Sequence, residues 1–526
     1  MTTASKVLLI VVANGCLFVA GAGVARALGA WSRPAELRRM LGVSFIAGVA
    51  AYGVAAQLLY VLGFSLRLWQ ALLVCGILAA TGFLGGSGSA QGTPSRPFSR
   101  LEILPAALAA LMLLLLALDS IFQPLASWDA WTQWTAKARA LVVVNGLDPN
   151  VLGSVVYSDW HLDYPLLVPA LEAYGFRFAG IDYRIVHFQQ WFLLLGFALA
   201  FIDLLRPRVR PLFMWAGLLA ILWAPKVGSE TIAANADLAL AVFAGLTGIT
   251  AFIWITESSR VSLGLCALFA AATMATKIEG AYLIVIVLAF TMVYVARRSR
   301  RLMWATAVAG AIAFVGIVPW RIWVAIHHLP ATYSVSAALD GPGLHEHSRG
   351  PISTLVVFGQ LFSPRAWLLL VPLSFVAAAA LARAGLPYRR RRLLIVAAAM
   401  FLTVGTVNSL LIPGPSFPHS WRASDSLLFV LLFVTGALCL IAVVRSRGLA
   451  AWTIGAVTAM TGTFIMMYVL TPYPFTWHLG TSSARVILGP ALFLAALAPL
   501  MLERAAAGGG TPLVTATTLG GDPGSR

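Results

Sequence analysis

What most constrains this chain is the recurrence, from one end to the other, of apolar stretches about 20 residues long. A bilayer core of about 30 Å takes about 20 mainly apolar residues per helix. Backbone groups in lipid must be satisfied within their own segment, so uninterrupted stretches of this length are helices and too long for barrel strands. Candidate spans fall near 7–29, 39–63, 66–86, 101–119, 183–204, 211–225, 238–256, 261–276, 280–296, 302–325, 366–385, 393–412, 425–444, 449–471 and 485–502. Composition agrees: of 526 residues 60% are apolar and 10% charged, a balance that a single water-soluble core could hardly conceal. The predicted fold class is an all-α polytopic membrane protein with about 13–15 transmembrane helices.

A net charge of +17 would suit a nucleic-acid partner if it lay along one polar face, but the basic residues stand at alternating ends of the spans. Arg33, Arg38, Arg39, Arg96, Arg100, Arg206, Arg208, Arg210, Arg297, Arg298, Arg300, Arg301, the run from Arg389 to Arg392, Arg445, Arg447 and Arg504 all fall on one side of the predicted topology. The positive-inside rule makes that side cytoplasmic, which puts the C-terminal tail inside and segment 120–182 outside. The expected localisation is a multi-pass cell membrane protein with its active face outside. Cys16, Cys75, Cys266 and Cys439 are scattered through apolar spans without metal or redox spacing and read as core residues. The first span reads as a retained helix whose orientation stays open.

Residues 1–86 form a three-helix prefix, and 87–100, rich in Gly, Ser and Pro, reads as a cytoplasmic linker. The main body runs over 101–502, and 503–526 reads as a disordered cytoplasmic tail. No internal repeat of the kind that marks many secondary transporters is visible. Carboxylates, histidines and tryptophans collect in the outer segments, whereas the inner loops hold mostly arginine.

The longest outer segment opens on SWDAWTQWTAKARAL. Its spacing predicts an amphipathic interfacial helix, capped by Ser127, with Asp129, Gln133 and Lys137 on one face and Trp131, Trp134, Ala138 and Leu141 on another. Asp129 either complements the positive end of that helix or faces a cleft at membrane level, where it would take a proton from an acceptor hydroxyl. Tyr157, Asp159, Trp160, His161, Asp163, Tyr164 and Pro165 then crowd into nine positions. His161 and Asp163 either hydrogen-bond within this loop or share a divalent cation with Asp129. Asp237 begins an apolar span, where a carboxylate near the interface costs less than the roughly 2.5–3.5 kcal/mol of one at the bilayer centre. Lys277 and Glu279, two apart, would not face each other on a helix. Lys277 would then meet either a lipid phosphate or a carboxylate such as Asp237 or Glu230. Arg422, His478 and Arg485 stand at late membrane entrances, where an arginine either grips a phosphate or snorkels to headgroups. The cluster His345 to His347 lacks helical ligand spacing.

These motifs and their order resemble the GT-C superfamily of membrane glycosyltransferases, which includes protein O-mannosyltransferases, aminoarabinose transferases and RgtA-like bacterial enzymes. WDAWTQWTAKARAL with HLDYPLLVPALEAY is similar to the first outer loop of the RgtA-like branch, NADLALA to its second acidic motif, and ATKIEG to its third. TPYPFTWHLGTSSARVILGP is also similar, so that the likeness covers about 127 to 490. Asn235 and Ala239 stand where an aromatic residue and a proline are expected, and Asp129 follows the fourth span rather than the first.

The resemblance implies a long first outer loop with interfacial helices, a polyprenyl-phosphate-linked sugar donor, and Asp129 and Asp237 as the catalytic carboxylates. Lys137, His161, Asp163, Tyr164, Lys277, Glu279, Arg422, His478 and Arg485 become candidates for substrate binding. The acceptor would be a glycan, a lipid or a protein, and the setting cell-envelope glycan biosynthesis. The resemblance fixes no cofactor, and a divalent metal, Mg or Mn, is compatible with the loop. Two other classes remain open: a transporter or glycolipid flippase, which would favour carboxylates in mid-span, and a glycan polymerase or ligase, which would gather Arg and His in one late outer loop.

Overall fold

The structure, a computed structural model, describes residues 2–84, 96–152, 154, 161–329, 449–469, 478, 481–482 and 485–506. Among these the regular structure is helical throughout. Seven helices are long and apolar enough to cross a membrane, or eight if Pro211–Trp223 and Lys226–Ala233, bent at the proline between them, form one broken span. The spans predicted at 366–385, 393–412 and 425–444 lie outside the described residues.

The α-helices of nine or more described residues are, in chain order, α1 (Thr3–Ala27), α2 (Leu41–Val61), α3 (Leu68–Leu84), α4 (Ile103–Phe122), α5 (Thr135–Val143), α6 (Leu167–Ala179), α7 (Tyr183–Leu205), α8 (Pro211–Trp223), α9 (Pro225–Ala233), α10 (Ala236–Glu257), α11 (Arg260–Met274), α12 (Ile278–Ala296), α13 (Arg300–Ala313), α14 (Val318–Ile326), α15 (Leu449–Val469) and α16 (Leu488–Ala506). The last of these carries the chain past residue 502, so the first residues assigned to the tail are helical, and Glu503 pairs with Arg210 at 3.0 Å.

The bundle is built around α10, apolar on all sides and buried along its whole length, as a helix without a polar face must be. It packs against α7, α11 and α16. Peripheral spans show the opposite pattern. On α4 the stripe Ala109, Leu113, Ala117 faces the bundle, while Leu108, Leu111, Leu114, Leu115 and Leu118 are exposed. Such a continuous apolar outer face is the surface a lipid environment covers.

The prefix helices share this core rather than standing apart from it. Asp203 on α7 caps α2 by accepting the Gly42 N–H at 2.7 Å and the Val43 N–H at 3.1 Å. Where α1 and α2 cross, Gly21 and Gly48 bring the two backbones together so closely that a Cβ at either would run into the opposite main chain. At the start of α1, Lys6 pairs with Asp182 at 2.7 Å, which places that end beside the start of α7.

The two ends of the bundle differ chemically. At one end Arg208 grips Glu257 at 2.6 Å, Arg298 donates to the Ile255 carbonyl at 2.8 Å, and buried Glu102 receives Trp215 Nε1 at 3.0 Å with Arg96 and Arg206 nearby. These are the arginines that the sequence places on one side. The outer-segment carboxylates meet at the other end.

Candidate functional site

The first outer segment does not form the regular capped helix that its period-four spacing predicts. Ala130–Trp134 is a π-helical turn, which inserts one extra residue before α5. Ser127 caps nothing; its hydroxyl donates to Asn235 Oδ1 at 2.9 Å, and Asn235 in turn donates to Glu230 Oε2 at 3.0 Å. The extra residue turns Gln133, Trp134 and Lys137 inward, while Trp128 and Trp131 stay exposed. Asp129, at the head of this turn, pairs with Arg485.

A second carboxylate stands beside it. Helix α9 ends at Ala234 in the left-handed region, φ 54°, where glycine is the usual occupant. The chain reverses there into α10, with Asp237 in its first turn. The Lys277 ammonium lies 3.0 Å from Asp237 Oδ1 and 3.5 Å from Glu279 Oε1. The second pairing corrects the expectation that residues two apart do not meet. That rule holds within a helix, but Lys277 precedes α12 in extended conformation, φ −148°, ψ 159°, so its side chain can fold back over the first turn. Burial alone would discharge Lys277, yet Asp237 and Glu279 hold it protonated above the ordinary lysine range. The corner is tight: a Cβ at Gly280 would collide with the Thr273 carbonyl, so the glycine is required to bring α12 back against α11.

Tyr164 ties these parts together. Its hydroxyl donates to Glu279 Oε1 at 3.3 Å, and its ring stacks on Trp134 at 5.6 Å and on His161 at 5.3 Å, with Lys277 over one face. Lys137 is buried beneath this layer and donates to the His161 carbonyl at 2.7 Å. His161 is itself in the left-handed region, φ 42°, a conformation that costs about 1–3 kcal/mol and survives where neighbours impose it. Burial pushes the Lys137 ammonium down to about 7, with Asp163 opposing. Burial, then the Lys137 charge, push His161 down to about 4. His478 is pushed to about 4 by burial, then by His161, Arg485 and Lys277. Both imidazoles are therefore neutral at pH 7.

Asp163 is fully buried; its Oδ2 lies 3.4 Å from Arg321, and its carbonyl accepts Trp320 Nε1 at 2.9 Å. Of the residues singled out from sequence, Asp129, His161, Tyr164, Asp237, Lys277, Glu279, His478 and Arg485 thus converge at one end of the bundle. Lys137 and Asp163 support them from below, and Arg422 lies outside the described residues. No group of three metal-capable side chains occurs among the described residues.

Sequence reasoning missed Arg321, Trp320 and Gln57. Gln57 on α2 accepts the Leu166 N–H at 2.6 Å and donates to the Gly316 carbonyl at 2.6 Å, which fixes the loop carrying Asp163 and Tyr164. A lone amide in the apolar run AYGVAAQLLYV, and a lone arginine in VPWRIWVAI, are the signals that pointed to them.

Exposure separates roles within the cluster. The side chains of Asp129 and Arg485 are 24% and 19% exposed, whereas those of Asp237, Lys277 and Glu279 are at most 9% exposed. The Asp129–Arg485 pair is therefore the more accessible part of the cluster, backed by a buried charge network.

No family model, no curated protein and no solved structure matches this chain.

Proposed function

We propose that the protein is a membrane glycosyltransferase that moves a sugar from a polyprenyl-phosphate donor to an acceptor hydroxyl on the non-cytoplasmic face. The observation that carries this reading is the reachable Asp129–Arg485 pair set against the buried Asp237–Lys277–Glu279 cluster at the membrane end of the bundle. A carboxylate beside fixed cations suits an inverting displacement. The acceptor oxygen bonds to the anomeric carbon, the bond from that carbon to the phosphate oxygen breaks with its electron pair leaving on phosphate, and the acceptor proton passes to Asp129. Phosphate needs charge stabilisation more than protonation, and Arg485, released from Asp129 when donor arrives, supplies it bidentately with Lys277 behind. Neutral His161 and His478 orient hydroxyls without adding charge. The resemblance of the outer-loop motifs to GT-C enzymes supports the same assignment.

The test is sugar transfer from a panel of radiolabelled polyprenyl-phosphate sugars by purified protein in lipid. Asp129→Asn removes the base and nearly preserves shape, and is expected to lower transfer by about 10²–10⁴-fold while Arg485 and the fold remain. Transfer unaffected by Asp129→Asn rejects the assigned base. Wild-type vesicles that move a glycolipid while turning over no donor replace the enzyme reading with transport.

A further inference from the structure

At the arginine-rich end of the bundle, opposite the candidate site, a cavity of about 600 Å³ opens between α10, α11 and α13. Its walls are apolar and made shallow by small side chains, Ala267 from α11 and Ala305 and Ala309 from α13. Two arginines, Arg260 and Arg301, stand at its mouth. We propose that this groove holds an anionic phospholipid of the leaflet at that end, with its phosphate between the two arginines and an acyl chain along α13.

Charge is the first argument. Arg208, Arg210 and Arg298 at the same end are each engaged by a carboxylate or a carbonyl. Arg260 and Arg301 are exposed and have no ion pair or hydrogen bond among the described residues. Both lie in the first turn of their helices, α11 and α13, neither of which has an acidic residue there. Cations at helix N-termini add to the positive end of the macrodipole instead of compensating it. Two such ends side by side make a local arrangement that is unfavourable until an anion arrives, and basic pockets between spans are where anionic headgroups bind.

Dimension is the second. From Arg301 to Ile312 at the far end of the lining, α13 rises about 16 Å, half the roughly 30 Å hydrocarbon core. The groove is therefore one leaflet deep, with charge only at the headgroup level. A soluble anion would leave its apolar length empty, and a polar peptide would find no partners along it. The floor is held in place by one of its own lining residues, since Trp254 Nε1 donates to Thr306 Oγ1 at 2.9 Å and fixes α10 against α13. This proposal rests on the multi-pass membrane fold and is independent of the transferase reading.

The experiment is native mass spectrometry of the full-length protein, delipidated in detergent and titrated with phosphatidylglycerol or phosphatidylcholine. Phosphatidylglycerol is expected to bind in preference. The exposed double variant Arg260→Gln/Arg301→Gln is expected to weaken its binding about twenty-five-fold, the product of roughly fivefold per arginine near an anionic headgroup. Arg39→Gln, exposed at the same end, should leave binding unchanged. Ala305→Phe, which fills the groove without touching a charge, should also displace the lipid. Equal binding of the two lipids, full binding by the double variant, or equal binding of glycerol phosphate alone would each overturn the proposal; so would a protein partner that occupies the groove and is displaced by Ala305→Phe.

Discussion

Lys137 shows how much of this site depends on single buried charges. Its ammonium is buried, and burial holds it near 7 where the unfolded chain keeps it near 10.5. Between those values the unfolded state binds the proton and the fold does not, so stability rises as pH increases from about 7 toward 10. At lower pH both states are protonated and the buried charge is carried at a cost. Thermal unfolding in detergent from pH 7 to 9 is expected to show this rise, and Lys137→Met to flatten it; an identical slope in the variant would assign the rise to another group. On the acid side His161 and His478, held near 4 against an ordinary 6.5, oppose charging, so stability falls from about pH 6.5 toward 4. His161 faces Lys137, Lys277, Asp129 and Asp163, and the fall should be shallower in His161→Gln. The candidate residues were legible as polar groups at the outer ends of apolar runs, where a charge needs a reason. Their pairing was not, because partners such as Asp129 and Arg485 stand 356 positions apart and nothing local encodes that contact.

Elements were legible to the extent that one period governs them. Outside 330–448 the apolar runs became helices close to the expected spans, since lipid-length hydrophobicity is a strong signal. The outer segment was less so: the period-four face through Asp129, Gln133 and Lys137 assumes a regular α-helix, and the π-helical turn at Ala130–Trp134 breaks that assumption. The crossing of α1 and α2 was hidden for a different reason. Gly21 and Gly48 look like any glycine in an apolar run, yet small residues are what allow membrane helices to approach closely. Gly48→Leu is expected to part α1 from α2 and lower expression and thermal stability, because the Leu17 carbonyl occupies the space of any side chain there. Gly76→Ala on α3, where nothing lies within 4 Å of a Cβ, is the control and should be neutral or slightly stabilising. The buried ion pair that joins α10 to the start of α12 gives a second prediction at this scale. Asp237→Asn leaves Lys277 buried against Glu279 alone, and loss of a partner from a buried pair costs about 3–5 kcal/mol. A variant as stable as wild type would mean that Glu279 alone suffices.

At the scale of the molecule the prefix helices and the site belong to one construction. Gln57 of α2 holds the loop that presents Tyr164, and Asp203 of α7 caps α2, so the first helices brace the outer segment. This gives the three-helix prefix a structural part in presenting the candidate site. The bundle also has a chemical polarity, arginines at one end and the carboxylate cluster at the other, separated by the length of α10. The positive-inside rule predicts an orientation from that polarity, with the arginine end inside, and the proposed donor, with its sugar on the outer face, depends on that orientation. In a background with all four cysteines replaced, Trp128→Cys, exposed beside Asp129, should react with an impermeant maleimide on intact cells. Arg39→Cys at the opposite end should react only after permeabilisation. The reverse pattern would put Asp129 and Arg485 in the cytoplasm, facing nucleotide sugars instead of lipid-linked ones, and the proposed donor would fail even if the fold and the pairing of its residues stood unchanged.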